Sequence, residues 1–242
     1  MKQDDCDQVN DFFRAAVQDW TPNAARDKAR VLFVPVSFNA EVVRSCSAIL
    51  SDVELRAANG FLTDDLKNHF IQRRAFRRFC AAVALGPSTT SLSKIVFEET
   101  DKRRPYLSSA PGLWFSFSSC GSGFLGAWSF THSLGVDVED RTQEVEAEEL
   151  AKLYFSEAEA KLVDEADHIT RVRTFFRLWS LKESALKSIG EGLPFGLDTF
   201  GFDLSPKLRI SHAPTEYGGP TRFDSHLIER KTTCAALVTH LK

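Results

Sequence analysis

The stretch FFRLWSLKESALK, residues 175–187, has the apolar spacing of a buried helix face, which Lys182, Glu183 and Lys187 interrupt. Glu183 lies one turn after Trp179, and Lys187 lies one turn after Glu183, so these three side chains share a stripe. Gly190 suits the left-handed position that ends a helix. On this helix alone, the pattern favours a satisfied ion pair on a core helix over a reactive site. The apolar positions that define the face are Phe175, Leu178, Trp179 and Leu186.

A second stretch, LGVDVE at residues 134–139, alternates as a β-strand does. Gly135, Asp137 and Glu139 point to one face, and the apolar residues point to the other. Two carboxylates on one face repel each other unless positive charge lies between them. A divalent cation held by two carboxylates and by substrate phosphate oxygens would supply that charge, and Mg²⁺ binds in this way. The alternative is a strand end that is simply solvated.

The composition is that of an ordinary soluble protein of one large or two small domains. The chain has 242 residues, 43% hydrophobic and 26% charged, with a formal net charge of −3. This charge argues against a general nucleic-acid binder, and neither a membrane-spanning apolar run nor a secretory signal is visible. Five scattered cysteines predict reduced thiols in a cytoplasmic protein, without a disulfide framework or a zinc site: Cys6, Cys46, Cys80, Cys120 and Cys234.

The remaining pattern predicts helices and strands in alternation. Helices are expected at residues 11–20, 40–49, 64–85 and 144–155, and from residue 170 onward. Ser51 and Ser156 each open a capping box, the second leading a helix to about residue 166. Strands are expected at residues 31–38, 95–97, 123–130, 134–139, 200–204, 207–211 and 232–239. The first of these strands contains a proline, which favours an edge or a bulge. Gly86 and Pro87 should end the basic helix at 64–85, whose arginine-rich face is either solvated or binds an anion.

Taken together, residues 135–139 and 179–187 resemble the signature of the Sfp-type 4′-phosphopantetheinyl transferases. That family carries G-[IV]-D-[IV]-E on a strand and, about forty residues later, W-x-x-K-E-[AS]-x-x-K on a helix, and both motifs are complete here. From residue 56 onward the chain follows the family pattern, whereas the first fifty residues match loosely. The resemblance implies an α+β fold of two similar α/β halves, related by pseudo-two-fold symmetry, with a cofactor cleft between them. We therefore expect a monomer with halves at residues 1–130 and 131–242, the second carrying the metal-binding and catalytic motifs.

The resemblance also implies an activity. Members transfer the 4′-phosphopantetheine arm of coenzyme A to a serine of an acyl- or peptidyl-carrier protein, with Mg²⁺, and release 3′,5′-ADP. By this resemblance Asp137, Glu139 and Glu183 hold the metal, Glu183 also takes the serine proton, and Lys187 assists the leaving phosphate. Lys182 and Arg104 would hold the pyrophosphate and Arg74 the nucleotide end. The complete set implied to bind coenzyme A is Arg74, Arg104, Ser118, Ser119, Lys182 and Lys187.

The sequence departs from the family at residue 119, where a serine replaces the histidine that helps to hold the pyrophosphate. Ser116 likewise replaces an asparagine. Losing one charge-assisted contact costs about 1.5–3 kcal/mol, roughly ten- to a hundred-fold in affinity. Either a neighbour such as His132 compensates, or coenzyme A binds weakly, or activity is impaired.

Two other functions stay open at this point. The first is a non-catalytic relative that binds coenzyme A or a carrier protein, which Ser119 favours and the intact acidic set opposes. The second is a different Mg²⁺-dependent phosphoryl-transfer enzyme, although no glycine-rich P-loop supports a nucleoside triphosphatase. The sequence does not identify the carrier protein, its docking surface, the choice between Mg²⁺ and Mn²⁺ or the tolerance for acyl-coenzyme A.

Overall fold

The computed structural model describes residues 3–86 and 91–241, and the predicted helix stop at Pro87 lies outside these ranges. The fold is α+β, as predicted. The helices are α1 (Gln3–Ala16), α2 (Ala40–Ala48), α3 (Asp52–Asn59), α4 (Asp64–Leu85), α5 (Ala147–Tyr154), α6 (Glu157–Asp164) and α7 (His168–Ile189). The strands are β1 (Gln18–Asp19), β2 (Arg30–Pro35), β3 (Glu98–Glu99), β4 (Pro105–Tyr106), β5 (Trp114–Cys120), β6 (Gly123–Ser129), β7 (Ser133–Asp140), β8 (Gly201–Asp203), β9 (Arg209–His212), β10 (Phe223–Glu229) and β11 (Thr233–His240).

Two antiparallel sheets form the centre of the fold. One has the strand order β1-β2-β6-β5 and the other the order β10-β11-β7. Strand β2 lies inside its sheet and pairs with β6 without a shift in register, so the prediction of an edge or bulged strand is wrong. Its proline, Pro35, is the last residue of the strand and is paired with Gly123 of β6. At the end of a strand the missing N–H interrupts little of the ladder.

The helices cover the outer faces of the two sheets and create two separate cores. Helices α1 and α4 pack on the first sheet and α2 packs on these two helices, whereas α7 packs on the second sheet and α5 and α6 pack on α7. A third core fills the space between the sheets. There Leu134, Val136 and Val138 of β7 pack with Leu125 and Ala127 of β6. The predicted alternation of β7 is therefore confirmed, because its apolar residues face this inner core.

Helix α4 has the predicted bounds of residues 64–85, whereas α7 begins at His168, two residues before the predicted start. Thr63 caps α4 by accepting a hydrogen bond from the backbone N–H of Leu66, and Asp167 caps α7 through the N–H groups of residues 169 and 170. Gly190 ends α7 with φ of +83°, a conformation that favours glycine. Both helices have 22 residues, and each packs on one of the two sheets.

Several element predictions were wrong in position. Residues 95–97 are not a strand, and the nearby short strand is Glu98–Glu99. Strand β10 was missed because its polar and half-exposed residues lack a clear alternation. Helix α1 begins at residue 3 and ends at residue 16, earlier than predicted. The turn between β6 and β7 covers residues 130–132. The division into halves at residues 130 and 131 stays a prediction.

Within residues 3–86 and 91–241, no helix combines the length and apolar character needed to cross a membrane.

Candidate functional site

Helix α7 crosses strand β7 at a position where a side chain would not fit. A Cβ added at Gly135 would overlap the carbonyl oxygen of Ser184 and lie 2.6 Å from the backbone nitrogen of Ser188. Real Cβ atoms essentially never come so close to backbone. The glycine of the strand motif therefore lets α7 lie directly on β7. This contact brings the acidic strand face and the charged helix stripe together.

Four side chains from β5, β7 and α7 meet beside this contact. Asp137 is 3% exposed, and its Oδ1 accepts hydrogen bonds from Lys187 Nζ at 2.7 Å and from Ser118 Oγ at 2.8 Å. Glu183 Oε2 lies 3.7 Å from the same ammonium. Glu139 lies two residues beyond Asp137 on the same strand face. We call Asp137, Glu139, Glu183 and Lys187 the acidic cluster. The structure therefore unites the central residues of both motifs.

The acidic cluster carries three carboxylates and one ammonium. Burial, followed by the neighbouring carboxylates of Asp137 and Glu183, raises the pKa of Glu139 to about 8. Burial also raises the pKa of Glu183. For Lys187, burial opposes the charged form, but Asp137 and Glu183 outweigh it and raise its pKa. The ammonium therefore stays charged, while Glu139 holds its proton at neutral pH because the cluster has more carboxyl groups than one ammonium can neutralise.

The fit of a divalent metal to this cluster is partial. Carboxylate oxygens are the ligands that Mg²⁺ prefers, and Asp137 Oδ2 is buried without a hydrogen-bond partner in the described structure. However, no group of three His, Cys, Asp or Glu side chains in residues 3–86 and 91–241 is arranged to hold a metal ion. The ammonium of Lys187 lies against two of the three expected ligands instead. The predicted metal set Asp137, Glu139 and Glu183 stays a prediction.

Lys182 does not reach the acidic cluster or the cleft. Its side chain is fully buried, and Nζ lies 2.7 Å from Glu159 Oε2 and donates a hydrogen bond of 3.0 Å to the carbonyl of Leu197. It also donates to the carbonyl of Phe200 and lies over the ring of Phe155. This placement contradicts the prediction that Lys182 holds the pyrophosphate. Helical spacing turns residue 182 away from the stripe of residues 179, 183 and 187.

Arg104 lies in the cleft wall but is already engaged by the fold. Its Nη2 donates hydrogen bonds to Ser133 Oγ at 2.9 Å and to the carbonyl of Leu134 at 3.2 Å. Its guanidinium also lies over the ring of Trp114, with 4.6 Å to the centroid. Burial lowers the pKa of Arg104 to about 10, so the group stays positive at neutral pH. Arg104 therefore joins the segment before β4 to the start of β7.

The basic face of α4 divides into paired and poorly paired arginines. Arg78 is bound by both carboxylate oxygens of Glu54, at 2.7 and 3.0 Å. Arg74 lies 4.0 Å from Glu54 and 3.9 Å from Glu99, over the ring of Phe70. Arg77, which was not among the predicted binding residues, lies further along the helix. The helical spacing of residues 74 and 77 gave no reason to prefer either of them.

A cleft of about 300 Å³ lies beside the acidic cluster. One wall comes from α4, β5 and the segment before β4, and the other comes from the end of α7. The cleft contains two members of the acidic cluster and several cations, while Arg74, Ser119 and Lys182 are not among its lining residues. The charged residues that line the cleft are Arg77, Lys102, Arg103, Arg104, Glu183, Lys187 and Glu191.

The segment that carries this geometry also matches a known family. A model of the 4′-phosphopantetheinyl transferase superfamily matches residues 133–238, from the first residue of β7 nearly to the end of β11. Residues 133–238 belong to the 4′-phosphopantetheinyl transferase superfamily. Both motifs and all four residues of the acidic cluster lie within this superfamily segment.

Curated relatives extend the similarity toward the N-terminus. The chain is 26% identical to the 4′-phosphopantetheinyl transferase HetI of Nostoc over 170 residues, which are 69% of this chain and 70% of the relative. It is 31% identical to the 4′-phosphopantetheinyl transferase Sfp of Bacillus subtilis over 128 residues, 50% of this chain and 56% of the relative. A third relative is the L-aminoadipate-semialdehyde dehydrogenase-phosphopantetheinyl transferase of Xenopus laevis. It is 32% identical to this chain, and the match covers 47% of this chain and 41% of the relative's length. The chain thus spans just over half the length of Sfp.

Proposed function

We propose that this protein is a 4′-phosphopantetheinyl transferase, which moves the phosphopantetheine arm of coenzyme A onto a serine of an acyl- or peptidyl-carrier protein. The observation that carries the proposal is the acidic cluster, because β5, β7 and α7 converge to bring both motifs together at one end of a cleft. The relatives named as 4′-phosphopantetheinyl transferases support the same activity.

The proposed reaction is a single phosphoryl-transfer step. The serine oxygen of the carrier bonds to the phosphorus that bears the pantetheine arm. The bond from this phosphorus to the bridging oxygen of the pyrophosphate breaks, and 3′,5′-ADP leaves with that oxygen. The serine proton passes to a base on the enzyme. Charge accumulates on the leaving phosphate, so a cation is needed beside it.

Two residues of the acidic cluster suit these tasks. Glu183 is the proposed base, since burial raises its pKa and makes its carboxylate a stronger base than an exposed one. Lys187 is the proposed cation beside the leaving phosphate, because its raised pKa keeps the ammonium charged and the ammonium lies in the cleft. Ser118 orients Asp137 through its hydrogen bond of 2.8 Å. Arg104 adds positive charge to the opposite wall.

A divalent metal is part of the proposal. Held by Asp137, Glu139 and Glu183, it would neutralise the negative charge of the pyrophosphate. Two features of the cluster support it, namely the excess of carboxylates and the buried, unpartnered Asp137 Oδ2. Because Lys187 contacts both Asp137 and Glu183, metal binding requires this ammonium to move away from them.

We also propose a cytoplasmic monomer with halves at residues 1–130 and 131–242, acting on carrier proteins and not on nucleic acid or membranes. The net charge of −3 supports the absence of a nucleic-acid partner. Five buried free cysteines are compatible with a reducing compartment.

The test is intact-protein mass spectrometry of an apo carrier domain incubated with this protein, coenzyme A and Mg²⁺. We expect a mass gain of one phosphopantetheine arm, which disappears when EDTA replaces Mg²⁺. A gain that persists in EDTA would contradict the metal site but not the transferase. If several carrier types show no gain while coenzyme A still binds, the protein is the non-catalytic relative that Ser119 favours.

A further inference from the structure

The fold leaves the proposed coenzyme A site without the histidine that Ser119 replaces. The pairing of β5 with β6 places Ser119 opposite Phe124 and Trp114 opposite Ser129. His132 follows Ser129 by three residues, so it lies beyond the other end of β5. Five strand residues correspond to about 16 Å. His132 is therefore too far from Ser119 to compensate for the missing side chain.

Helix α4, in contrast, runs alongside the end of β5 that contains Ser119. The ring nitrogen Nε2 of His69 lies 3.2 Å from the carbonyl oxygen of Cys120. Two turns later on α4, the guanidinium of Arg77 lies over the ring of Phe117, 5.2 Å from its centroid. Arg73 is spaced one turn from each of them. Residues 69, 73 and 77 thus form a stripe beside residues 117–120.

The positive charge of this stripe comes from its arginines. Burial lowers the pKa of His69, and the Arg73 guanidinium lowers it further, so the imidazole is neutral at pH 7. Burial and the neighbouring arginines lower the pKa of Arg77 to about 10, which still leaves it charged. Its nearest carboxylate is Glu99, 3.7 Å away and 42% exposed in its side chain. Several like charges therefore share one weak counter-ion.

Arg77 has donors that the protein itself does not satisfy. Its side chain is only 17% exposed, and within the described residues its Nε and Nη1 are buried without a hydrogen-bond partner. The Nε of Arg73 is also buried without a hydrogen-bond partner among the described residues. Buried donors without partners are costly, and in a native structure each needs an explanation. A bound anion would satisfy the donors and neutralise the repulsion.

The position of Arg77 in the cleft indicates which anion would bind there. It lines the cleft that also contains Glu183 and Lys187, so an anion on Arg77 would share the space where the proposed reaction occurs. A guanidinium matches the geometry of a phosphate group through paired N–H donors. We propose that Arg77, assisted by Arg73, binds a phosphate of coenzyme A in place of the histidine absent at position 119. This inference rests on the proposed function.

The first experiment measures binding by isothermal titration calorimetry, with coenzyme A and 3′,5′-ADP as probes. Arg77→Gln should weaken binding of both probes by about 10- to 100-fold. The matched control is Arg56→Gln, an exposed arginine at the end of α3, which should change nothing. Adding Ser119→His to the Arg77→Gln variant should recover part of the lost affinity, because it restores the family's donor.

A second measurement separates ligand binding from a structural role. Without ligand, Arg77→Gln removes a poorly paired cation from a cluster of cations, so its melting temperature should equal or exceed that of the wild type. The rise in melting temperature that 3′,5′-ADP causes in the wild type should be lost. A lower melting temperature with unchanged affinity would mean that Arg77 is structural, and would overturn the inference.

The failures of the two proposals are distinguishable. If the wild type binds coenzyme A and Arg77→Gln binds it equally well, the inference fails while the proposed function stands. If the wild type binds neither probe, the proposed function fails and the inference with it. Should Arg77→Gln not fold, Arg77→Lys decides, since weaker binding of 3′,5′-ADP by a folded variant supports the inference and unchanged binding contradicts it.

Discussion

Lys182 Nζ and Glu159 Oε2 form an ion pair of 2.7 Å that solvent does not reach. Five residues later on the same helix, Lys187 makes a contact of equal length with Asp137, but its side chain is 28% exposed and lines the cleft. The two ion pairs have the same length, but burial lowers the pKa of Lys182, whereas the carboxylates of Asp137 and Glu183 outweigh burial and raise the pKa of Lys187. Lys182 connects α7 to α6 through Glu159 and to the backbone after α7 through its carbonyl contacts, whereas Lys187 lines the cleft, where a ligand can reach it.

Replacing Lys182 with methionine should destabilise the fold. The change leaves the carboxylate of Glu159 buried without its cation, which costs about 3–5 kcal/mol in the free energy of unfolding. Chemical denaturation followed by circular dichroism measures this. Lys161→Met, an exposed lysine on α6, should change the free energy by less than about 0.5 kcal/mol. A stable Lys182→Met variant that binds coenzyme A poorly would restore the original prediction for this residue.

Glu183→Gln should remove transfer and keep the fold. The substitution preserves the shape of the side chain but eliminates the proposed base and one proposed metal ligand, so we expect a loss of at least about 100-fold in rate. Transfer is measured by the mass of the carrier protein, and folding by circular dichroism. The exposed residue Glu157 supplies the control, Glu157→Gln, which should be fully active. A fully active Glu183→Gln variant would disprove both roles.

Gly135→Ala tests the close packing of α7 on β7. The new methyl group would overlap the carbonyl of Ser184, so the helix must shift. Such overpacking costs about 1–3 kcal/mol or more and should also separate Lys187 from Asp137, reducing transfer. At Gly121 an added Cβ meets nothing within 4 Å, so Gly121→Ala is the matched control. Equal stabilities of the two variants, measured by thermal melting, would refute this account of the motif glycine.

Low pH should reduce the free energy of unfolding, because it protonates Glu229 and removes its ion pairs with arginines. Burial alone would raise the pKa of this carboxyl, but hydrogen bonds from Arg177 and Arg173 overcome it and hold the pKa at about 2. Because this value lies below that of the unfolded chain, the stabilisation is complete above pH 4.5 and is lost as the pH falls toward 2.

The measurement is the free energy of unfolding between pH 6 and pH 2.5 for the wild type and for Glu229→Gln. The wild type should lose more stability than the variant over this window. Parallel curves for the two proteins would show that Glu229 is not responsible for the acid sensitivity.

The sequence predicted those parts of the fold that rest on local rules. Capping boxes at Ser51 and Ser156, the left-handed Gly190 and the alternation of β7 follow from neighbouring residues, and the structure confirms each of them. The contact of the acidic strand with the helix stripe followed from the family motifs. Strand β10 could not be predicted, because its pairing with β11 decides its conformation more than its own pattern does.

Side-chain partners that are distant in sequence were beyond prediction. Lys182 belongs to a motif, but its buried partner Glu159 lies on another helix. The motif contains no residue that would predict this ion pair. Similarly, Arg74 and Arg77 were equivalent on helical spacing alone. Only the location of Glu54 and Glu99 shows that Arg74 has two carboxylate neighbours, whereas Arg77 has one and lines the cleft.

The neighbouring strands β5 and β7 belong to different sheets, and serine hydroxyls connect them. Ser116 Oγ accepts a hydrogen bond from the backbone N–H of Val136, and Ser118 Oγ donates to Asp137. A serine hydroxyl can rotate at a small cost in free energy, whereas the backbone hydrogen bonds of a β-ladder break cooperatively. The junction can therefore adjust to small changes in the spacing of β5 and β7 without breaking a backbone ladder. A wider spacing would lengthen the hydrogen bond from Ser118 to Asp137, so the spacing of the two sheets and the charge balance of the acidic cluster are physically linked.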